Sequence, residues 1–166
     1  MADLGILSAQ VRDSVLLHDI ECEVLACDPD LADTASFCAH YGFTLEQAAN
    51  TILVASKKVE PQRFAVCVVL GTTRLDVNRA VAGLLGTKRL SFADADVTVE
   101  RTGMRIGGVT AIGIEREQVY VDGAVMAQTR VVMGGGNRSS KLLLDPQQLL
   151  KLPNVEVVQG LAQPRE

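Results

Sequence analysis

Few residues of this chain have the type and spacing to do chemistry. Four cysteines, Cys22, Cys27, Cys38 and Cys67, stand 5, 11 and 29 residues apart, which fits neither paired zinc knuckles nor a C-x-x-C redox pair. At least three of them are expected to be small buried hydrophobes. His18 and His40 lack a Ser or Cys in a nucleophile-elbow context, so triad chemistry has no support. What remains is glycine. "IGGVTAIGI", 106–114, and the triple glycine Gly134 to Gly136 inside "TRVVMGGGNRSSKLLL" interrupt apolar runs, at a cost in backbone entropy and side-chain packing. Two reasons for that cost stay open. One is a bulge or bend in a curved sheet. The other is a ligand so close to the backbone that the N–H groups of Gly107, Gly108 and Val109 hold an anion or a polarised carbonyl. "GMRIGG" does not have the spacing of a dinucleotide fingerprint, and "GGGNRSSK" lacks the G-K-[ST] ending of a phosphate loop.

These glycines need elements to position them, and the hydrophobic periods alternate between helix and strand. The chain has 166 residues and 48% hydrophobic content, enough for one sizeable core, so a single domain over 1–166 with mixed α and β elements is expected. A first helix is read over 3–14 and a strand over 20–26. A second helix, capped by Asp28 with Pro29 in its first turn, should end at Gly42. Thr44 and Gln47 have capping-box spacing for a short helix at about 45–49, which gives way after Asn50 to the strand "TILVAS", 51–56. The continuous run "RFAVCVVL", 63–70, reads as a central strand covered on both faces. Next comes a helix over 77–85, between a cap at Asp76 and a stop at Gly86. A strand at 88–92, a helix ending at Gly103, a buried strand over 106–114, strand runs either side of the triple glycine, a helix from Asp145 to Leu152 and a strand "VEVV" complete the pattern. The tail 159–166 is expected to be loose.

The net charge of −4, from 16 Lys and Arg against 20 Asp and Glu, argues against a grip on long nucleic acid through many phosphates, DNA included. It leaves room for a partner that inserts only a nucleotide or two. The opening residues carry no signal-peptide pattern and no apolar run reaches about 18 residues, so a cytoplasmic protein without a membrane partner is expected.

Two segments in fixed order point to a family. "RLDVNRAVAGLLG" resembles an L-D-x-x-K-x-A-x-x-L-G helix, and "TGMRIGGVTAIG" resembles a T-G-x-x-x-G-G-x-x-P-x-G segment. On these the chain resembles the YbaK and prolyl-tRNA-synthetase-associated editing domains over roughly residues 28–152. The resemblance implies a curved, barrel-like mixed sheet surrounded by helices. It also implies free-standing hydrolysis of the ester that joins an incorrect amino acid to the 3′ end of tRNA, with no cofactor and no metal, and with an aminoacyl-tRNA synthetase as a further partner. Gly107, Gly108 and Val109 would hold the ester carbonyl, a type of donor typically worth roughly 3–4 kcal/mol. Leu25, Phe37, Ile106, Thr110, Gly113, Gly134 and Gly135 would contact substrate, and pocket size would do the selecting, at about 1–3 kcal/mol per methylene.

The departures fall at the site. The family's functional lysine, in its K-T-L junction, is Asn50 here, and Ala111 stands where the family carries proline. Some free-standing members have a polar residue before the late glycine pair and an acid further on, where this chain has Gly134 and Lys141. Three readings of the lysine's replacement compete. Asn50 is a helix C-terminal residue of a non-catalytic module that binds the tRNA end, a nucleotide or a synthetase. Or the positive charge has moved, to Lys141 or to Lys57. Or Asn50 itself works, its amide binding ribose or the substrate carbonyl.

Overall fold

Local capping signals set most of the element ends in the structure, a computed structural model that describes residues 3–165. Ser8 accepts the Val11 N–H at 3.3 Å and opens α1 (Ala9–Leu17). The first helix therefore starts later than its apolar spacing predicts, and Leu4–Ile6 form only a single 3-10 turn. β1 is Glu23–Ala26. Asp28 caps a short turn at Pro29–Leu31, after which α2 (Thr34–Tyr41) runs to Gly42 in the left-handed conformation. The Thr44–Gln47 capping box holds a single turn at Leu45–Gln47. β2 then spans Ala49–Ser56, so Asn50 lies inside a strand and is not a helix-terminal residue.

β3 (Phe64–Leu70) is followed by β4 (Thr73–Leu75). Asp76 accepts the Arg79 N–H at 3.2 Å and opens a π-helical turn, Val77–Val81, that tightens into α3 (Ala82–Leu85) and stops at Gly86. β5 is Leu90–Phe92, α4 is Ala95–Thr102, β6 is Val119–Asp122 and α5 is a single turn, Gly123–Met126. β7 (Val131–Gly134) and β8 (Ser140–Leu144) flank the triple glycine. A 3-10 helix at Pro146–Lys151 leads to β9 (Val155–Val158) and β10 (Ala162–Pro164).

Two expected features differ. The segment 106–114, read as a strand from its apolar residues, is a succession of turns. Gly107 at φ 90° and Gly113 at φ 102° adopt backbone angles that a strand cannot accommodate. The tail, expected loose, is ordered: β10 pairs with β4, Leu161 is fully buried, and its N–H reaches the Asp122 carboxylate at 3.1 Å.

A five-stranded sheet in the order β5-β2-β3-β6-β9 faces a three-stranded sheet in the order β1-β8-β7. Between them lies the main core: Val66, Val68 and Val121 from one, Val131, Leu142 and Leu144 from the other, with Val11 and Val15 of α1 at the side. Each such side chain contributes roughly 1.5–3 kcal/mol through burial. The π-helical turn and α3 cover the far face of the large sheet through Val81, Leu84 and Leu85. α2 covers the far face of the small one through Phe37 and Cys38. β3 is central and covered on both faces, as its continuous apolar run predicts. Among the described residues the sheets meet edge to edge only at a parallel bridge between Ala48 and Val132, so the curved arrangement does not close into a barrel.

Candidate active site

Beyond the Ala48–Val132 bridge the two sheets part, and a cleft of about 420 Å³ opens in the fork. Its walls come from β2 (Ala49 to Leu53), the start of α2 (Thr34, Phe37, Cys38), the turn carrying Ile106, Gly107 and Val109, and Met133, Gly134 and Lys141. The free edge of β2 belongs to it. Leu53 turns its carbonyl away from β3, to the Ala93 N–H at 2.9 Å. Because antiparallel backbone groups alternate in direction, those of Thr51 face the same open edge, and the buried Thr51 hydroxyl has no partner among the described residues.

Seven of the twelve residues predicted to form the site line this cleft: Asn50, Gly107, Val109, Lys141, Phe37, Ile106 and Gly134. Five do not. Leu25 lies opposite Lys141 on β1 but packs into the cluster beneath α2. Gly108 is buried against the hairpin, its N–H bonded to the Arg105 carbonyl at 2.8 Å and its carbonyl to the Gly136 N–H at 2.7 Å, so it has no donor to offer a substrate. Thr110 is fully buried. Gly113 faces a separate hollow beside α1, its carbonyl held by Gln10. Gly135 packs on Ser140 and accepts the Ser8 N–H. Lys57 is exposed at the turn after β2, away from the cleft. Structural packing thus explains Gly108, where a Cβ would collide with the Asn137 backbone. The N–H groups of Gly107 and Val109, by contrast, have no hydrogen-bond partner among the described residues.

Lys141 is 7% exposed and has no carboxylate partner among the described residues. Its ammonium donates to the Ala32 carbonyl at 2.6 Å and the Gly107 carbonyl at 2.9 Å, and lies 5.4 Å from the centroid of the Phe37 ring. It ties the two walls of the cleft together. Loss of water holds its pKa below the ordinary lysine range, while the nearby Cys27 thiol pulls the other way. Burial conversely pushes the Cys27 and Cys38 thiols up. An ammonium has three N–H bonds, so two engaged carbonyls leave one unspent.

Asn50, half-buried on β2, accepts the Thr34 hydroxyl at 2.6 Å through Oδ1, while its amide NH₂ has no partner among the described residues. The sequence reading missed Thr34 and also Arg138. The Arg138 guanidinium donates to the Ile106 carbonyl at 2.9 Å, the Pro29 carbonyl at 2.9 Å and Asp33 at 3.3 Å. The Ile106 carbonyl belongs to the peptide unit whose N–H is that of Gly107. A cation on the oxygen polarises that unit and strengthens its free donor. Neither residue had a spacing signal, since each acts through a contact between distant segments. Among the described residues no group of three or more His, Cys, Asp or Glu side chains gathers as a metal site, and no helix is long and apolar enough to cross a membrane.

The arrangement presents two backbone N–H groups, an amide and a buried cation around one small, mostly apolar space, a combination suited to a carbonyl on which negative charge develops. The profile of the aminoacyl-tRNA editing domain family matches residues 28–152. Among solved structures, the hypothetical protein APE2540 is similar over 93% of this chain and 99% of its own, with 22% identity and a TM-score of 0.81. A candidate trans-editing enzyme for prolyl-tRNA synthetase is similar over 92% of this chain and 97% of its own, with 22% identity and a TM-score of 0.76. A candidate signal transduction protein from Marinobacter aquaeolei VT8 is similar over 94% of this chain but only 31% of its own, with 14% identity and a TM-score of 0.64. At such identities the likeness to these structures is one of fold.

Proposed function

This chain belongs to the aminoacyl-tRNA editing domain family, and on that premise we propose that it is a free-standing deacylase that hydrolyses the ester of a mischarged tRNA. Water attacks the ester carbonyl carbon, the bond to the ribose oxygen breaks, and the proton passes to that oxygen, releasing the amino acid and an intact tRNA 3′ end. The Gly107 and Val109 N–H groups hold the carbonyl oxygen as it becomes an oxyanion, Arg138 strengthening the first of them. The neighbouring ribose hydroxyl orients the water. The Asn50 amide takes a ribose or carbonyl contact, and Thr34 fixes its orientation.

The observation that carries this reading is Lys141. A buried ammonium with no counter-carboxylate among the described residues and one unspent N–H, on the wall of the cleft, supplies the positive charge that Asn50 lacks. The cleft's size and its small apolar walls, Ala48, Ala49 and Ala93 among them, suit a small amino acid. Purified protein is expected to release a small amino acid from a mischarged tRNA faster than the spontaneous rate. No acceleration across a panel of mischarged tRNAs would remove the enzyme reading.

A second reading rests on the same lysine's engagement with two carbonyls: a module that binds the aminoacyl end or a synthetase without turnover. Asn50→Lys separates the two. A binding module gains hydrolysis when the family residue returns, whereas an enzyme that uses Lys141 gains none, because two cations then repel across one cleft.

A further inference from the structure

The net negative charge conceals a separation. Of the 16 lysines and arginines, seven (Lys57, Lys58, Arg63, Arg74, Arg79, Lys88 and Arg89) fall between residues 57 and 89, against two of the 20 acids, Glu60 and Asp76. Residues 1–46 carry nine acids and one arginine. All seven cations are exposed, and none has a carboxylate within 4.0 Å among the described residues.

The fold gathers them on one side. The Lys57 N–H bonds the Arg89 carbonyl at 2.7 Å, and the Arg63 guanidinium bonds the Leu85 carbonyl at 2.5 Å at the end of α3. Arg74 and Arg79 share a shallow hollow with Leu90 and with Phe92, an aromatic ring that is 58% exposed. That hollow adjoins the cleft: Phe92 lines the first, and the next residue, Ala93, lines the second. Successive side chains point to opposite faces of a strand, and β5 is the edge of its sheet, so a chain leaving the cleft past Ala93 rounds that edge to reach the Phe92 ring and then Arg74 and Arg79.

We propose that this basic face, with Phe92 at its inner edge, docks the acceptor end of tRNA: the single-stranded nucleotides before the terminal adenosine stack on Phe92, and their phosphates pair with Arg74 and Arg79. The inference rests on the deacylase reading and extends it from the terminal residue to the strand behind it. Unpaired exposed cations beside an exposed aromatic ring fit a single-stranded polyanion, since a ring stacks any base and arginines track the backbone.

The test compares the wild type, the double variant Arg74→Gln/Arg79→Gln, Phe92→Ser, and Arg116→Gln, an exposed arginine lining the separate hollow beside α1. Fluorescence anisotropy follows an uncharged acceptor-stem RNA hairpin with its single-stranded 3′ tail, over a salt series. Each lost contact to a single-stranded phosphate is expected to lower the slope of log K against log salt by about 0.7, so the double variant binds roughly tenfold more weakly near physiological salt. Arg116→Gln should match the wild type.

In deacylation, the double variant and Phe92→Ser raise KM for mischarged tRNA but leave hydrolysis of an aminoacyl-adenosine, too short to reach the patch, unchanged. That short ester also reports that the variants are folded. Unaltered affinity and salt slope in the double variant overturn the docking surface, as does equal affinity for a blunt duplex without the tail. Wild-type protein that hydrolyses neither ester but loses RNA with both arginines keeps the surface and discards the deacylase.

Discussion

Replacing Lys141 by Met tests whether a charge is buried in the cleft wall. Methionine is of similar length and apolar, so the space stays filled, but the Ala32 and Gly107 carbonyls lose their donors. A buried carbonyl left unpaired costs about 1–3 kcal/mol, so two set a scale of roughly 2–6 kcal/mol. Against this stands the cost of stripping water from the ammonium, which Met removes. The two terms separate with pH. The folded-state pKa of Lys141 lies below its ordinary value of 10.5, so between the two values the unfolded chain binds more protons than the folded one. Stability of the wild type relative to Lys141→Met therefore rises as pH passes upward through that window and levels off above the unfolded value. Below the window the ammonium's burial cost is fully present, and the variant lies closest to the wild type there. Urea denaturation of both proteins at intervals from pH 7 to 10.5 measures the difference, with Cys27 and Cys38, which feel the Lys141 charge, replaced by Ala in both so that the remaining thiol and tyrosine titrations cancel. Parallel stability profiles, or a gap that narrows with rising pH, would refute the reasoning. Deacylation by Lys141→Met should fall in kcat more than it rises in KM, because the change removes an interaction made with developing charge.

Other expectations follow from single contacts. Gly108→Ala drives a Cβ into the Asn137 backbone and should cost about 1–3 kcal/mol, lowering Tm by roughly 2–12 °C. Gly83→Ala, on the exposed side of α3 with open space around the new methyl group, should instead raise stability by about 0.5–1 kcal/mol. Thr34→Val frees the Asn50 amide; thermal melts should show a loss of about 1 kcal/mol, and kinetics a larger relative fall in kcat than in Tm-derived stability. The Cys67 thiol, pushed up to about 12 by burial, should resist alkylation at pH 8 in the native protein and react once denaturant is added.

What could be read from the sequence were the features that depend on a few adjacent residues. Asp28, the Thr44–Gln47 box, Asp76 and the left-handed glycines Gly42, Gly86 and Gly103 act within one turn, and each acts where its spacing predicts. The β-branched run at 64–70 likewise marks a strand covered on both faces. Apolar content alone misled at 106–114, where two glycines in the left-handed region make turns that a hydropathy pattern cannot register. It misled at the tail as well, where β4 and the Asp122 carboxylate, distant in sequence, order residues that have little structure of their own. The site divides in the same way. Glycine clusters announced a close backbone approach, but not that Gly108 serves the hairpin while Gly107 and Val109 keep free donors. Arg138 and Thr34 act across 32 and 16 residues respectively, and no local signal carries such a contact. Net charge averages over the whole chain, so the seven cations between residues 57 and 89 do not show in it.

The start of α1 sits behind the late glycines. The Ser8 N–H bonds the Gly135 carbonyl, Asn137 reaches the Ile6 carbonyl at 3.0 Å, and Gly136 has no room for a Cβ beside Ser8 and Val11. All of these residues but the glycines and Asn137 precede position 28, where the family match begins. The stretch that the family profile matches is therefore shorter than the stretch that packs together around the late glycines. A protein trimmed to 28–152 would keep every group that faces the cleft yet lose the buttress that holds Gly134 and the 106–109 turn at their separation, and would test as inactive for reasons unrelated to its chemistry.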